Sequence, residues 1–552
     1  MTAAAPRLAA DRLALAYGDQ LVIPPLDLVV PDGRITTIIG PNGCGKSTLL
    51  RGLARLQPTR EGRVLLDGQE IHRLPTVEVA RRLGILGQQP EAPDRITVEE
   101  LVGRGRYPHQ SFFQPPTERD AVAVRAAMEL AGVADLRRRP VDQLSGGQRQ
   151  RVWIAMAVAQ ETPLLLLDEP TTYLDLAHQM EVMNLVRRLN ADEGRTVVMV
   201  LHDVNEAARV SDHIVAMRDG RIVREGPPAD VLTESLLTDL YDLPCDIVDS
   251  PDGRPFYVPR SAASVAPPPC PFAPPAFDLD RIAVGYGATP VVRDLSLTMP
   301  SGAITAVVGP NASGKSTLMR ACSRLLPHHA GVIRLDGRDI RDGSHKALAK
   351  RLALVLQGAD TPPGFAVEDV VAAGRVPHQR LLRQWRREDE SAVESALDRC
   401  DLCGLRDRPL DTLAGGQQRR CWFGMALAQD TPVLILDEPT TFLDPAAQIT
   451  LLDIVRSLNR DLGRTIVLVL HDLNLAARYA DHLVVLRDGE VVAAGAPADV
   501  ISRDLLRDVF GVEAEIVTDP RTGAPLCLPT DLARAAESPA ADAGSVAATA
   551  AD

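Results

Sequence analysis

No stretch of this 552-residue chain approaches the roughly 18 consecutive apolar residues that cross a bilayer, although hydrophobic residues make up 45% of it. If the protein works at a membrane, other chains must provide the crossing. The first ten residues, MTAAAPRLAA, lack an apolar core of signal-peptide length, so the expected compartment is the cytoplasm. Cysteine is scarce: eight in this length make no disulfide framework, and reduced thiols fit that compartment. Cys400-x-x-Cys403 has no second ligand pair and ends a helical stretch, 391–402, and Ala131 and Ala134 stand at the equivalent places earlier in the chain. Two small buried helix residues are expected there rather than a metal site. Positive charge is also in deficit. A formal net charge of −13 argues against a general nucleic-acid binder, which turns a basic face to phosphate.

What the chain has is one phosphate-gripping loop, twice. Gly40-Pro-Asn-Gly-Cys-Gly-Lys-Ser47 fits the pattern G-x-x-x-x-G-K-[ST], and it returns as Gly309-Pro-Asn-Ala-Ser-Gly-Lys-Ser316. In such a loop the glycines (Gly40, Gly43 and Gly45; Gly309 and Gly314) let the backbone around Asn42 and Asn311 aim several N–H groups at phosphate oxygens. Lys46 and Lys315 would reach the β- and γ-phosphates, and Ser47 and Ser316 would each place a hydroxyl on Mg²⁺. The helix that continues through Thr48 or Thr317 adds its positive end to the anion site. An apolar strand run (Ile35 to Ile39; Ala306 to Val308) precedes each loop, and in the first following helix Leu49, Leu50, Leu53 and Leu56 fall at helical spacing. Cys44, matched by Ser313, puts a thiol in the first loop alone. Its nearness to a helix N-terminus is expected to depress its pKa.

Lys315 follows Lys46 by 269 residues, and the same offset carries Tyr17 onto Tyr286, Gln88 onto Gln357, Leu144 onto Leu413, Asp168 onto Asp437, Glu169 onto Glu438, His202 onto His471 and Asp212 onto Asp481. The chain is therefore a duplication on the scale of a domain. Each copy alternates short apolar strands with helices, the pattern of a parallel sheet covered on both faces. Strand signals stop between Gln88 and Leu144, where a helical stretch (118–136, matched by 387–405) reads as an inserted helical subdomain. The expected organisation is a first domain at 1–257, a proline-rich linker at 258–276, a second domain at 277–533 and a fraying tail at 534–552. Extended, such a linker spans roughly 55 Å, enough for the halves to face one another.

Leu164 to Leu167 runs into Asp168-Glu169, and Val433 to Leu436 into Asp437-Glu438. A buried strand thus delivers two carboxylates to its tip, an aspartate suited to Mg²⁺ and a glutamate suited to polarising the water that attacks the γ-phosphate. Leu144-Ser-Gly-Gly-Gln148 offers the hydroxyl of Ser145, the N–H groups of Gly146 and Gly147, and a helix start at Gln148 to an anion. With this motif the sequence resembles the ATP-binding cassette family, over almost all of both halves. The resemblance implies an α/β fold of two P-loop nucleotide-binding domains, each a RecA-like sheet core with a small antiparallel β part and a helical subdomain. It implies that the halves close head to tail, each ATP held between the P-loop of one and the signature of the other. It further implies adenine stacking by Tyr17 and Tyr286, metal and permease sensing by Gln88 and Gln357, switch roles for His202 and His471, and roles for Asp175 and Asp444 in the loop after each catalytic glutamate.

Gly105-Arg-Tyr-Pro-His-Gln110, Gly374-Arg-Val-Pro-His-Gln379, Ile154-Ala-Met-Ala-Val-Ala-Gln160 and Thr171-Thr-Tyr-Leu-Asp175 narrow the resemblance to ATPase subunits of bacterial importers for iron–siderophores, haem and cobalamin. That implies an ATP-hydrolysing motor on the inner face of the cell membrane, docked to separate permease chains and serving a substrate-binding protein, without nucleic acid. The rival reading is a soluble tandem cassette acting on ribosomes or nucleic acid, but a charged helical linker, a basic insertion and cysteine clusters are all missing. The halves also differ. The second signature reads Leu413-Ala-Gly-Gly-Gln417, so Ala414, ahead of Gly415, Gly416 and Gln417, lacks the hydroxyl of Ser145. Head-to-tail pairing would set Ala414 opposite Lys46 and Ser145 opposite Lys315, giving two sites of unequal rate.

Overall fold

The computed structural model describes residues 6–88, 92–110, 115–172, 174–249, 255–260, 275–287, 289–356, 364–379, 385–441 and 443–532. Gln357, most of the expected linker and the expected tail lie outside them.

Each half is built on a six-stranded sheet. In the first, the order is Arg221–Gly226, His213–Arg218, Ile35–Ile39, Thr196–Val200, Leu164–Asp168 and Leu83–Leu86, with only the first of these antiparallel to its neighbour. All residues of Ile35–Ile39, Leu164–Asp168 and Thr196–Val200 are buried. They read as continuous apolar runs because both faces of a parallel sheet are covered by helices. The P-loop strand is central, with Ile35 beside Val197 and Thr36 beside His213. The second half repeats the order about Ile304–Val308. A four-stranded antiparallel sheet flanks each core, ordered Gln20–Val30, Leu8–Tyr17, Thr59–Leu66 and Gln69–Glu70 in the first half.

The helical subdomain packs Val98–Gly103 and Glu118–Leu130 against the long helix Gly146–Ala159. Its middle helix stops short of the expected 136. Gly132 takes a positive φ of 62°, and Val133 N–H returns to the carbonyl of Met128 at 2.9 Å, closing the helix end. The second copy stops at Arg399 in the same way, with Asp401 at φ 52° in the place of Gly132. Cys400 is then buried as expected, whereas Cys403, carried into the following turn, is exposed. The P-loop helix is also shorter than its leucine spacing suggests. It runs Lys46–Leu53, burying Leu49, Leu50 and Leu53 and leaving Leu56 on the surface.

The ends of the expected linker are strands. Pro255–Pro259 pairs with Cys245–Asp249, and Pro275–Tyr286 enters the second antiparallel sheet. Proline is accommodated because it stands at strand ends, where a missing N–H breaks little of the ladder. The hairpin formed by Cys245–Asp249 and Pro255–Pro259 meets its counterpart, Val512–Thr518 with Pro525–Leu532, through Arg521, whose Nη2 lies 3.1 Å from Asp246 Oδ1. The helix Leu176–Glu193 crosses between the halves too, placing Met180 in the apolar core of the second.

Candidate functional site

Both P-loops fold back on themselves around their lysines. Lys46 is only 5% exposed, and its Nζ donates to the carbonyls of Gly40 at 2.8 Å and Pro41 at 2.9 Å. Lys315 donates likewise to Gly309 at 2.8 Å and Pro310 at 2.7 Å, and burial pulls its pKa down. Glycine is obligatory where the loop leaves the strand. A Cβ on Gly40 would stand 2.1 Å from the carbonyl oxygen of Met217, and one on Gly309 would stand 2.0 Å from that of Leu486. Further along the loop, Gly43 has φ 78°, and its counterpart Ala312 is held at φ 63°, which costs an alanine about 1 kcal/mol. Gly45 and Gly314 cap the two loop helices, in which Thr48 and Thr317 are buried.

Beside each lysine the serine meets the strand-tip aspartate. Ser47 Oγ donates to Asp168 Oδ1 at 2.8 Å and Ser316 Oγ to Asp437 Oδ1 at 3.0 Å. Burial raises the carboxyl pKa of both aspartates. The second oxygen of Asp168, Oδ2, is buried with no hydrogen-bond partner among the described residues. A hydroxyl and an unsatisfied carboxylate oxygen side by side suit a hard divalent cation such as Mg²⁺. The neighbouring glutamates adopt a strained backbone, φ 52° at both Glu169 and Glu438, a conformation that concentrates at functional sites. His202 Nε2 lies 2.6 Å from Glu169 Oε1, and His471 Nε2 lies 2.6 Å from Glu438 Oε1. Gln88 Nε2 donates to Glu169 Oε2 at 2.6 Å, and Thr172, second residue of the Thr171-Thr-Tyr-Leu-Asp175 motif and given no role by its sequence, donates at 3.2 Å. Burial would raise the Glu169 and Glu438 carboxyls, but the histidine bonds hold both below the usual glutamate range.

The two halves close on each other through these loops. Asn42 N–H donates to Asp444 Oδ2 at 3.1 Å, and Asn311 N–H donates to Asp175 Oδ2 at 3.0 Å. The cleft between the halves, about 1190 Å³, is lined by Asn42, Ser145, Gly146, Glu169 and His202 of the first half and by Asn311, Ala414, Gly415, Glu438 and His471 of the second. Gly147 and Gly416 line it as well. Ser145 Oγ accepts from Gln148 N–H at 3.3 Å and caps its helix; Ala414 has no atom to do so, although the Gln417 side chain still accepts from Ala414 N–H at 3.2 Å. The tyrosines stand apart from the cleft, Tyr17 47% and Tyr286 52% exposed at the ends of their antiparallel strands.

The thiol of Cys44 behaves otherwise than its place before a helix suggests. The thiol is buried in the apolar cluster of the first half and does not line the cleft, and burial raises its pKa against the opposing pull of Lys46. The Gly-Arg-x-Pro-His segments are tied inward as well. Arg106 is buried against Asp120 at 2.9 Å and His109 Nε2 lies 2.8 Å from the Gln160 carbonyl, leaving Tyr107 as the exposed residue of the motif.

Fold and cleft together define two P-loop nucleotide-binding units that meet across one cleft and are joined by two reciprocal crossing bonds. The family model described as ABC transporter matches residues 23–172 and again 292–441. The chain belongs to the ABC transporter family, as a tandem of two ATP-binding units, and is an ATPase. It is 49% identical over 269 residues to the ferric enterobactin transport ATP-binding protein FepC of Escherichia coli (strain K12), covering 48% of this chain and 99% of that one. It is 48% identical over 244 residues to the iron(3+)-hydroxamate import ATP-binding protein FhuC of Bacillus subtilis (strain 168), covering 44% and 91%. A tandem relative, a putative ABC transporter ATP-binding protein of Methanosarcina mazei, is 28% identical over 530 residues and covers 88% of each chain. Among solved structures, the archaeal ribosome recycling factor aABCE1 in complex with ribosomal stalk protein aP1 aligns over 94% of this chain with a TM-score of 0.63 at 20% identity, a likeness of fold. No helix of the described residues is long and apolar enough to cross a membrane.

Proposed function

We propose that this chain is the ATP-hydrolysing motor of an importer for iron–siderophores or a related metal chelate, working from the inner face of the membrane against separate permease chains that receive cargo from a substrate-binding protein. Near 50% identity of one unit to iron-chelate import subunits supports the substrate class. The observation that carries the motor reading is the crossed pair of bonds from Asn42 to Asp444 and from Asn311 to Asp175, since each site then depends on closure of the other half.

In this reading Lys46 and the loop N–H groups from Gly40 to Thr48 hold the phosphates of one ATP, with Tyr17 stacking on its adenine, and Lys315, Gly309 to Thr317 and Tyr286 do the same for the other. Ser47, Asp168 and Gln88 in one site, and Ser316, Asp437 and Gln357 in the other, would hold Mg²⁺, which neutralises phosphate charge when bound. Glu169 and Glu438 orient and polarise the attacking water, and His202 and His471, hydrogen-bonded to them, hold the carboxylates in place. The signature residues of the opposite half, Ser145 to Gln148 or Ala414 to Gln417, close over the γ-phosphate. Closure draws the helical subdomains inward and hydrolysis releases them, which is the stroke passed to the permease. The proposed divisions are a first domain (1–257), a linker (258–276) whose ends run into the strands Pro255–Pro259 and Pro275–Tyr286, a second domain (277–533) and a tail (534–552).

The test is reconstitution in liposomes with an iron-chelate importer permease and its binding protein. Stimulation of ATPase by loaded binding protein, lost in the Lys46→Ala/Lys315→Ala protein, is expected. Stimulation by ribosomes and none by the permease would overturn the proposal.

A further inference from the structure

His178 occupies a position that the second half leaves bare. Asp175 caps the helix Leu176–Glu193, and its Oδ1 accepts from the N–H of His178 at 3.1 Å and lies 2.5 Å from that ring's Nδ1. Its other oxygen crosses to Asn311. Asp444 makes the equivalent cap on Ala447 N–H at 2.9 Å and the equivalent crossing to Asn42, but the residue in the place of His178 is Ala447, which has no ring. The far side of the His178 ring packs on the signature loop. A Cβ on Gly147 would come within 2.6 Å of His178 Cδ2, whereas one on Gly416 would meet only Leu443, at 3.5 Å. The ring therefore fills the space between the signature and the crossing aspartate of one half. Both of those elements serve the site of Lys315.

We infer that His178 is a positioning residue that braces Asp175 and the signature loop against the Lys315 site, and that its protonation makes the closure of that site, and of that site alone, dependent on pH. The inference rests on the reading that the halves form two hydrolytic sites. The groups facing the ring are Asp175, Glu181 one turn along the same helix, and Arg151 of the signature helix, which pairs with Glu181 at 3.4 Å. The Asp175 bond raises the pKa of the ring above 6.5, assisted by Glu181 and opposed by burial and Arg151. Burial opposes ionisation of Asp175, but the ring and the Asn311 N–H hold its carboxyl down to about 2. A raised imidazole pKa means the charge-assisted part of the brace is complete below 6.5 and is lost as pH rises through the raised value, leaving a neutral Nδ1–H bond and the ring's packing.

The experiment uses the full-length chain carrying Glu169→Gln, which leaves hydrolysis to the Lys315 site, and follows ATPase from acid to alkaline pH. The expected result is a fall in kcat as His178 deprotonates, with KM for ATP little changed. His178→Ala should lower the acid-side kcat by about tenfold, the scale of one lost hydrogen bond to a charged group, and flatten the profile. His178→Asn, which keeps a neutral donor near the Nδ1 position but never carries the charge, should give a rate independent of pH and close to the alkaline-side rate of the Glu169→Gln protein. Ala447→His in the Glu438→Gln protein should confer the dependence on the Lys46 site. Identical rates and profiles with and without His178 would overturn the inference. Failure of the two-site reading shows differently, as ATPase that neither Glu→Gln change reduces; imidazole NMR of the intact chain then decides independently. A His178 ring that titrates above its ordinary value and reverts in Asp175→Asn supports the brace, and one that titrates normally removes it.

Discussion

The backbone N–H of Asn42 donates to the carboxylate of Asp444 across the boundary between the halves, at 3.1 Å. A residue in the first P-loop is thereby held by a helix cap of the second half, and Asn311 and Asp175 complete the reciprocal bond at 3.0 Å. Replacing Asp444 with Asn keeps the cap geometry but removes the charge that accepts the crossing N–H. Asp444→Asn should therefore slow the Lys46 site and Asp175→Asn the Lys315 site, each by about tenfold, the scale of one charge-assisted bond. Single-turnover hydrolysis in Glu438→Gln and Glu169→Gln backgrounds measures each site alone. Equal slowing of both sites by Asp444→Asn would show that the bond governs general closure rather than one site.

The signatures predict unequal rates. Ser145 carries a hydroxyl into the cleft that Ala414 lacks, while Glu169 and Glu438 share the same strained φ of 52° and the same 2.6 Å contact with histidine. The difference between sites then lies in the signature rather than at the glutamates. The Glu169→Gln protein, running on the Lys315 site, should retain more ATPase than the Glu438→Gln protein. Adding Ala414→Ser to the latter should raise its rate several-fold, up to the roughly tenfold that one hydrogen bond to a charged phosphate supplies. Steady-state ATPase at saturating ATP reads both comparisons, and no gain from Ala414→Ser would assign the asymmetry elsewhere.

Thiol chemistry separates two cysteines. Cys44 is buried in the apolar cluster beneath its loop with its pKa raised, whereas Cys403 is exposed. A thiolate is the reactive species, so burial and a raised pKa both slow attack. Brief maleimide treatment of the native protein at neutral pH followed by peptide mapping should find Cys403 modified and Cys44 intact, with or without ATP. Rapid labelling of Cys44 that ATP blocks would mean that the loop opens its underside when empty.

The P-loops, the Asp-Glu pairs and the signatures were legible in the sequence because phosphate chemistry demands fixed residue types at fixed spacing. The exact offset of 269 between copies carried every paired site residue with it. What sequence misjudged depends on where a side chain turns. A helix start lies one residue after Gly45, but nothing in the residue order says that the Cys44 side chain is buried in the apolar cluster. Helix ends were overextended because Gly132 and Asp401 stop the chain by a left-handed turn that apolar periodicity does not register. The contact of His178 with Asp175 takes its meaning from Asn311 of the other half, a partner far away in the chain. Gln357 falls outside the described residues, so its counterpart Gln88 alone shows the bond to glutamate.

Arg106 is 1% exposed, and Asp120, 5% exposed, is its carboxylate partner; Arg106 also reaches the Ala159 carbonyl at 2.7 Å and Glu161 at 2.7 Å. Asp120 accepts from Thr117 N–H as well, capping the helix Glu118–Leu130. Burial opposes ionisation of Asp120, but these bonds prevail and bring its carboxyl from 3.8 down to about 2. A depressed carboxylate pKa contributes stability that is complete above 3.8 and is lost as pH falls through about 2. Removing one partner leaves the other charge buried, which costs about 3–5 kcal/mol. Arg106→Ala should therefore lower the urea midpoint of the first unfolding transition strongly at neutral pH. Asp120→Asn, which retains a neutral acceptor for the cap, should lower it less and should remove part of the acid dependence between 3.8 and 2. Urea melts at neutral pH and near pH 3, about where the carboxyl is partly protonated in the unfolded chain, check the prediction. An unchanged acid dependence in Asp120→Asn would place that sensitivity in other carboxylates.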